Sequence, residues 1–314
     1  MERANDSTFS GFILLGFSNR PQLETALFGV ILIIYFLSFL GNGTIILLSI
    51  TDPHLHTPMY FFLSNLSFMD LCLTTCTVPQ TLANFKGKDK TITYGGCVTQ
   101  LFTALGLGGV ECVLLSVMAY DRYVAVCRPL HYMVIMHPQL CLQLAVTAWL
   151  TGFGNSIIQT ALTMTLPLCS KNQVDHFFCE VPVMLKLACT NTSVNEAEGF
   201  AVSVFFLVVP LSLILVSYGH ITQAVLKIKS AQGRQKGFGT CGSHLMVVII
   251  FFGTLISMYL QPPSSYSQDV NKGIALFYTL VTPLLNPLIY TLRNKEVKGA
   301  LRRLVRRTLD STQS

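Results

Sequence analysis

Two carboxylates, Asp70 and Glu111, lie inside long apolar stretches of the sequence. Asp70 comes about 12 residues after the start of one stretch and Glu111 about 11 residues before the end of the next, so at 1.5 Å per helical residue both lie roughly 16 to 18 Å deep. Asn42 and Asn286 fall in the same half of two other stretches. Ionisable groups in an apolar medium are costly unless they are paired, share a proton or hold a cation. The four residues are therefore predicted to form a polar layer inside a helix bundle.

Asp121, Arg122 and Tyr123 end the stretch that contains Glu111. Counted from Cys97 at about 1.5 Å per residue, Arg122 lies roughly 37 Å along a helix. A hydrocarbon core is only about 30 Å thick. The Asp121–Arg122 ion pair is therefore predicted at a membrane interface, where it could act as a switch.

His176-Phe-Phe-Cys-Glu could present imidazole, thiolate and carboxylate to copper or zinc. The thiolate of Cys179 is lost to a metal if that cysteine is in a disulfide, and a packed loop histidine is the alternative. The sequence has no His-Glu-x-x-His, phosphate-binding loop or Gly-x-Ser-x-Gly motif, so no residues are candidates for catalysis and the chain is not predicted to be an enzyme.

The elements that carry these residues are membrane spans. Hydrophobic residues make up 51% of the 314 residues and charged residues only 11%, against about 25% charged in soluble domains. Seven apolar runs approach the roughly 20 residues that a spanning helix needs; they are 25–50, 58–82, 97–121, 141–165, 197–222, 241–260 and 273–292. The prediction is an all-α seven-transmembrane helix bundle over 25–292, between an N-terminal segment, 1–24, and a tail, 293–314.

The distribution of Lys and Arg predicts the orientation of the bundle. The segments around 122–140, 223–240 and 293–314 hold 13 of the 21 basic residues, and the cytoplasmic side keeps such an excess. The N-terminus is therefore predicted outside and the tail in the cytoplasm. The net charge of +6 is then a signal of topology and of contact with membrane lipid, and nucleic acid is not a predicted partner.

The tail is predicted to form a short amphipathic helix on the inner membrane surface. Its apolar face is made of Val297, Ala300, Leu301, Leu304 and Val305, and arginines occupy the opposite face. Anchoring to anionic lipid and contact with a partner protein are both compatible with this pattern.

Four cysteines fall on the predicted outer side: Cys97 at the start of the third span, and Cys169, Cys179 and Cys189 in the longest connection. This number suits an oxidising compartment and allows three pairings. Asn5 and Asn191 begin glycosylation sequons on the same side.

Four segments together resemble the olfactory (odorant) receptors among the rhodopsin-like G-protein-coupled receptors, and the resemblance covers nearly the whole chain. They are the 15 residues from Met118 to Tyr132, Pro58-Met-Tyr-Phe-Phe-Leu-Ser-Asn-Leu, Lys236-Gly-Phe-Gly-Thr-Cys-Gly-Ser-His and Pro283-Leu-Leu-Asn-Pro-Leu-Ile-Tyr. The resemblance implies a plasma-membrane receptor of olfactory sensory neurons, which binds a volatile odorant and raises cyclic AMP through a stimulatory, olfactory-type G protein.

The resemblance also implies roles for particular residues. It favours Cys97–Cys179 and Cys169–Cys189 as disulfides, with the other six cysteines as free buried thiols. A sodium-type site is implied at Asp70, Glu111, Asn42 and Asn286; no other cofactor is expected, and a protonated, water-bridged network without metal is the alternative.

In the implied G-protein switch, Asp121 holds Arg122 inactive until the sixth helix moves outward, and Tyr218 and Tyr290 rearrange with it. Tyr123 and His244 complete the predicted switch. The sequence departs from other rhodopsin-like receptors here, because the inner end of its sixth span has no acidic residue. A salt bridge between helices is therefore not expected to lock the switch.

The predicted ligand pocket follows from alignment with receptors of this fold. Its residues are mostly apolar: Leu101, Ala104, Leu105, Gly108, Val202, Ser203, Phe206, Phe252, Leu255, Ile256, Tyr259, Leu276 and Thr279. Ser203, Tyr259 and Thr279 are its only expected side-chain donors, and no charge is expected in it. These features predict a small neutral ligand, although helix packing is an alternative role for each residue taken alone.

Two other functions are compatible with parts of the pattern. A transporter or channel could use the intramembrane carboxylates, but it would leave Asp121-Arg-Tyr unexplained and no inverted repeat is visible. A receptor for peptides or amines would differ only in its pocket, and Ala104 stands where amine receptors place an aspartate.

Overall fold

The computed structural model describes residues 11–87, 90–168, 172–259, 268–293 and 295–312. The helices in these ranges are α1 (Pro21–Thr51), α2 (Pro58–Lys86), α3 (Tyr94–Cys127), α4 (Tyr132–Ile135), α5 (Pro138–Met164), α6 (Val181–Leu187), α7 (Ser193–Leu226), α8 (Ala231–Tyr259), α9 (Gln268–Leu276), α10 (Thr282–Arg293) and α11 (Lys295–Thr312). A π-helical turn, Phe277–Val281, joins α9 to α10.

The seven predicted spans are confirmed. Spans one to five are α1, α2, α3, α5 and α7; span six lies in α8, and span seven runs through α9, the π turn and α10. Spans two and three remain continuous helices although Asp70, Pro79 and Glu111 interrupt their apolar runs. The outer end of the bundle is the end with Cys97, and the inner end is the end with Arg122.

Local sequence explains where several of these helices begin. Proline occupies the first turn of α1, α2 and α5, where its missing N–H would have no helical partner. The side chain of Thr93 accepts a hydrogen bond from the N–H of Gly96 and caps α3. Span three therefore starts at a fixed residue, and this start sets the height of every side chain that follows on it.

A small sheet covers the outer end and was not predicted. Strand β1 (Gly11–Leu14) pairs antiparallel with β2 (Thr91–Thr93) and parallel with β3 (Gln173–Val174). Gly11 has a φ of 151°, and a Cβ there would lie 2.2 Å from the carbonyl oxygen of Ile92. Only glycine fits this close approach. The sheet fastens the N-terminal segment and the longest connection over span three.

Close packing of glycines brings spans three and four together. A Cβ on Gly152 would lie 2.5 Å from the backbone nitrogen of Val110 and 2.6 Å from the carbonyl oxygen of Gly106. Small residues at such crossings let two helix backbones approach each other inside a membrane. This contact fixes the position of span four beside the residues of span three that face the interior.

Candidate functional site

A cavity of about 550 Å3 lies in the outer half of the bundle. Spans three, five and six form its walls with the π turn of span seven, and the connection after span four closes it from the outside. Nine of the predicted pocket residues line it: Leu101, Ala104, Leu105, Gly108, Val202, Ser203, Phe206, Leu255 and Thr279. Its size is that of a site for a small molecule.

Three other predicted pocket residues do not line this cavity. Phe252 is buried against Phe251, Ile256 is 39% exposed on the outside of the bundle, and Leu276 packs on the cluster around Ile31. The side chain of Tyr259 lies outside the described residues. Met258 and Tyr278 occupy the corresponding parts of the wall.

The prediction that no charge faces the pocket is wrong. Glu180, Lys186 and Glu196 line the cavity together with the amides of Asn155, Gln159 and Asn195. The first two belong to the longest connection, whose helix α6 lies across the cavity because the Cys97–Cys179 disulfide ties it to span three. This disulfide offered a signal in the sequence, since a residue adjacent to Cys179 must lie above the outer end of span three.

Glu180, in the roof of the cavity, lies close to a buried histidine. His176 is 2% exposed, and its Nε2 lies 3.5 Å from Oε1 of Glu180. Burial, followed by the positive charge of Lys272, lowers the pKa of His176 to about 3, so the ring is neutral at pH 7. Burial raises the pKa of Glu180 to about 7, although the charge of Lys186 opposes this shift.

The hydroxyl groups of the cavity wall donate to their own helices. Ser203 Oγ donates to the carbonyl oxygen of Gly199 at 2.7 Å, and Thr279 Oγ1 donates to that of Ala275 at 2.8 Å. Their oxygen atoms remain able to accept hydrogen bonds. The predicted donors of the pocket therefore present acceptors to a ligand.

The predicted polar layer is present in the middle of the bundle. Asp70, Glu111, Asn42 and Asn286 are all at most 4% exposed. Asn286 Nδ2 donates to Asp70 Oδ2 at 3.0 Å, and Asn42 Nδ2 donates to the carbonyl oxygen of Pro283 at 2.9 Å. Among the described residues, Glu111 Oε1 and Asn42 Oδ1 are buried without a hydrogen-bond partner. Unpaired oxygens beside a second carboxylate fit a hard cation such as sodium.

At the inner end, Arg122 is held by its neighbour in the sequence. Arg122 Nε donates to Asp121 Oδ2 at 3.0 Å, and Nη2 donates to the same oxygen. The hydroxyl of Tyr132 donates to the other oxygen of Asp121 at 2.7 Å. The arginine is 8% exposed, so the pair is buried inside the bundle end.

His244 connects spans five and six to span three. Its Nε2 lies 3.1 Å from the carbonyl oxygen of Leu115, which can only accept, so Nε2 carries the proton. In the neutral ring Nδ1 then accepts from the hydroxyl of Tyr218 at 2.8 Å. The ring of Tyr123 lies tilted against that of His220 at a centroid distance of 5.7 Å, and Tyr290 is buried with no hydroxyl partner among the described residues.

The tail helix α11 docks on the first inner connection. Arg303 Nη2 lies 2.8 Å from Asp52 Oδ2, and the hydroxyl of Tyr60 donates to Glu296 at 2.7 Å. Burial acts to raise the pKa of Asp52, but hydrogen bonds from His54 and Arg303 outweigh it and lower this pKa to about 2.

Part of the apolar face predicted for the tail helix packs on the bundle, and part of it is exposed. Val297 and Ala300 are buried against the bundle and Leu304 is partly buried there, whereas Leu301 is 36% exposed. The side chain of Val305 is outside the described residues. Much of the apolar face of this helix, which was predicted to lie along the inner membrane surface, packs on the protein.

The cysteines and sequons are placed as follows. Cys97 and Cys179 form a disulfide, and Cys169 lies outside the described residues, so its pairing with Cys189 stays a prediction. Among the described residues, six cysteines carry free thiols: Cys112, Cys141 and Cys241 are buried, and Cys72, Cys76 and Cys127 are partly exposed. The prediction that all six are buried is therefore wrong for three of them. Asn5 is outside the described residues, and Asn191 is exposed just before α7.

A seven-helix bundle with a cavity at one end and a buried arginine–aspartate pair at the other defines a membrane-spanning receptor. Residues 31–308 match the family model described as olfactory receptor. The chain is 63% identical to olfactory receptor 2G6 of Homo sapiens, with 97% of this chain and 96% of that one aligned. It is 62% identical to olfactory receptor 2C3 of Homo sapiens (97% and 95% aligned) and 59% identical to olfactory receptor 2B6 of Mus musculus (98% and 98% aligned).

The chain belongs to the olfactory receptor family. It is therefore an odorant-sensing G-protein-coupled receptor that crosses the membrane seven times, and the family is one of receptors and not of enzymes. The resemblance drawn from the four sequence motifs is confirmed.

Proposed function

We propose that the receptor binds a small, largely apolar, neutral odorant in the outer cavity and activates a stimulatory, olfactory-type G protein, which raises cyclic AMP. The observation that carries the proposal is that one helix, span three, contributes to both the ligand cavity and the inner ion pair. Span three lines the cavity with Leu101, Ala104 and Leu105, and it ends at the Asp121–Arg122 pair.

The orientation expected from the basic residues is part of the proposal. The N-terminus faces the outside, and the tail with its arginines faces the cytoplasm and anionic lipid. The cavity then lies at the side from which odorants arrive, and Arg122 faces the G protein. The disulfide between Cys97 and Cys179 supports this orientation, because disulfides persist in oxidising compartments.

Span six couples the cavity to the switch in this mechanism. Leu255 and Met258 of span six line the cavity, and His244, further along the same helix, bonds to span three and to Tyr218. A ligand shifts the equilibrium only by binding one arrangement of the helices more tightly than the other. Outward movement of the inner end of span six would break both bonds of His244 and open the space beside Arg122, which must then leave Asp121 to contact the G protein.

A sodium ion, if bound, would be held by Asp70 and Glu111 with the side-chain oxygens of Asn42 and Asn286. It would supply one positive charge, which balances one of the two buried carboxylates. The unpaired oxygens of Glu111 and Asn42 support this site, and they support a water-bridged network in the same place.

The test compares two arginines at the inner end in cells that report cyclic AMP. Arg122→Ala is expected to reach the surface and to lose the odorant response, because the outer cavity is untouched and the contact with the G protein is lost. Arg128→Ala, which removes an exposed arginine six residues later, is expected to respond normally. A normal response from Arg122→Ala at matched surface level would contradict the mechanism.

A further inference from the structure

The cavity presents hydrogen-bond acceptors to a ligand at both its wall and its roof. Ser203 and Thr279 have their hydroxyl protons directed to backbone carbonyls, so each offers an oxygen. Gln159 directs its amide nitrogen to Glu198 at 2.6 Å. Glu180 adds a carboxyl group that lines the same space. A ligand that donates a hydrogen bond therefore meets four side chains of this cavity that can accept it.

Glu180 is the strongest of these acceptors. Its side chain is 14% exposed, and it lines the cavity. His176 lies behind it: the N–H of Phe178 donates to Nδ1 at 3.4 Å, so that Nε2 carries the proton of the neutral ring. Nε2 faces Glu180 at 3.5 Å without forming a hydrogen bond. No hydrogen bond from His176 occupies the carboxyl group, so it keeps its capacity to accept from a ligand.

We propose that Glu180, in the roof of the ligand cavity, binds the hydrogen-bond-donating head group of an amphipathic ligand, whose apolar body lies against Leu101, Leu105 and Phe206. The inference rests on the proposed function and narrows its ligand class to molecules with a donor, above all alcohols. Hydrogen bonds to ionised groups are stronger than those between neutral groups, which favours Glu180 over Ser203 as the partner of the donor.

Burial and the charged groups nearby set the protonation of Glu180 and of His176. Lys186 lines the same cavity and favours the ionised form of Glu180, while burial raises the pKa of this carboxyl to about 7. Lys272 faces His176 from span seven and is ion-paired to Asp175 at 2.5 Å. Glu180 therefore changes from mostly protonated to mostly ionised between pH 6 and pH 8, and His176 stays neutral throughout.

The experiment measures cyclic AMP responses to straight-chain alcohols, the aldehydes of the same chain length and the corresponding primary amines. Glu180→Ala is expected to lower the potency of alcohols relative to aldehydes by about tenfold, the loss of one charge-assisted hydrogen bond. Glu180→Gln, which keeps an acceptor but loses the charge, should lower the alcohol-to-aldehyde ratio by less than Glu180→Ala does and should lose the response to amines. Asp269→Asn, which removes an exposed outer carboxylate, should leave all ratios unchanged.

The ratio of two ligands on one variant does not depend on its surface level, so reduced folding of a variant does not obscure the result. In the wild type, the amine-to-alcohol potency ratio should rise by up to about tenfold from pH 6 to pH 8, as the ionised fraction of a group with this pKa rises from about one tenth to nine tenths. Glu180→Gln should abolish this rise.

An alcohol-to-aldehyde ratio that is the same in Glu180→Ala and in the wild type would overturn the assignment of Glu180 alone. A wild-type receptor that responds to no member of the panel would overturn the proposed function together with it.

Discussion

Substituting one glycine at the crossing of spans three and four tests the packing that shapes the cavity. A Cβ on Gly152 would lie 2.5 Å from Val110 N and 2.6 Å from Gly106 O, whereas non-bonded atoms prefer about 3.5 to 4.0 Å. Both neighbours are backbone atoms, so no side-chain rotation can relieve the contact. Gly152→Ala therefore requires the two helices to separate by roughly 1 Å.

The magnitude follows from two opposing terms. Replacing a helical glycine with alanine stabilises a helix by about 1 kcal/mol. Overpacking costs about 1–3 kcal/mol, and the upper end applies because backbone atoms are involved. Gly152→Ala is thus expected to destabilise the receptor by about 2 kcal/mol. Gly154, two residues later, has no atom within 4 Å of an added Cβ, so Gly154→Ala should be neutral or stabilising by up to about 1 kcal/mol.

The assay is thermal unfolding of both variants and the wild type, purified and reconstituted in lipid nanodiscs. Gly152→Ala should unfold several degrees below Gly154→Ala and should also lose odorant potency, because span four carries Gln159 into the cavity wall. Equal unfolding temperatures for the two variants would refute the argument that backbone contact sets the distance between these spans.

Two further predictions concern the outer disulfide and the polar layer. Cys179→Ser should be retained inside the cell, because loss of a native disulfide costs about 2–5 kcal/mol, whereas Cys72→Ser, which removes a free thiol, should reach the surface. Staining of intact cells measures both surface levels, and a normal level for Cys179→Ser would contradict a role of the disulfide in folding. Asp70→Asn and Glu111→Gln should be coupled by about 0.5–3 kcal/mol in a double-mutant cycle on odorant potency, and simple additivity would show that the two carboxylates do not share a site.

The seven spans could be predicted from sequence because each is a long apolar run and the signal sums over about 20 residues. The polar layer could be predicted for the same reason, since Asp70 and Glu111 stand out within such runs. The outer sheet could not. Strand β3 has only two residues and β1 four, and each pairs with a segment far away in the chain, so no local periodicity marks them.

In span seven and in the longest connection, the pocket prediction failed because the helix departs from regular α-helical geometry or because a loop intervenes. The π-helical turn Phe277–Val281 inserts an extra residue into one turn of span seven, so Tyr278 faces the cavity and Leu276 does not. Glu180 and Lys186 lie on a connection whose path depends on a disulfide and on the N-terminal strand. Apolar patterning of the spans carries no information about such a path.

The most direct test of odorant binding in the outer cavity is to measure whether the size of this cavity selects the odorant. Ala104 lines the cavity on span three, and Val208 on span five is 51% exposed and not among the residues that line it. Ala104→Phe and Val208→Phe are compared with the wild type in the cyclic AMP assay, with a series of alcohols of increasing length.

We expect Ala104→Phe to reduce the potency of the longest active alcohols by about tenfold, the effect of overpacking an occupied cavity by about 1.4 kcal/mol, and to shift the optimum to shorter chains. Val208→Phe should leave the optimum unchanged. An unaltered optimum in Ala104→Phe, with a response of wild-type strength to every chain length, would show that the odorant does not bind in this cavity.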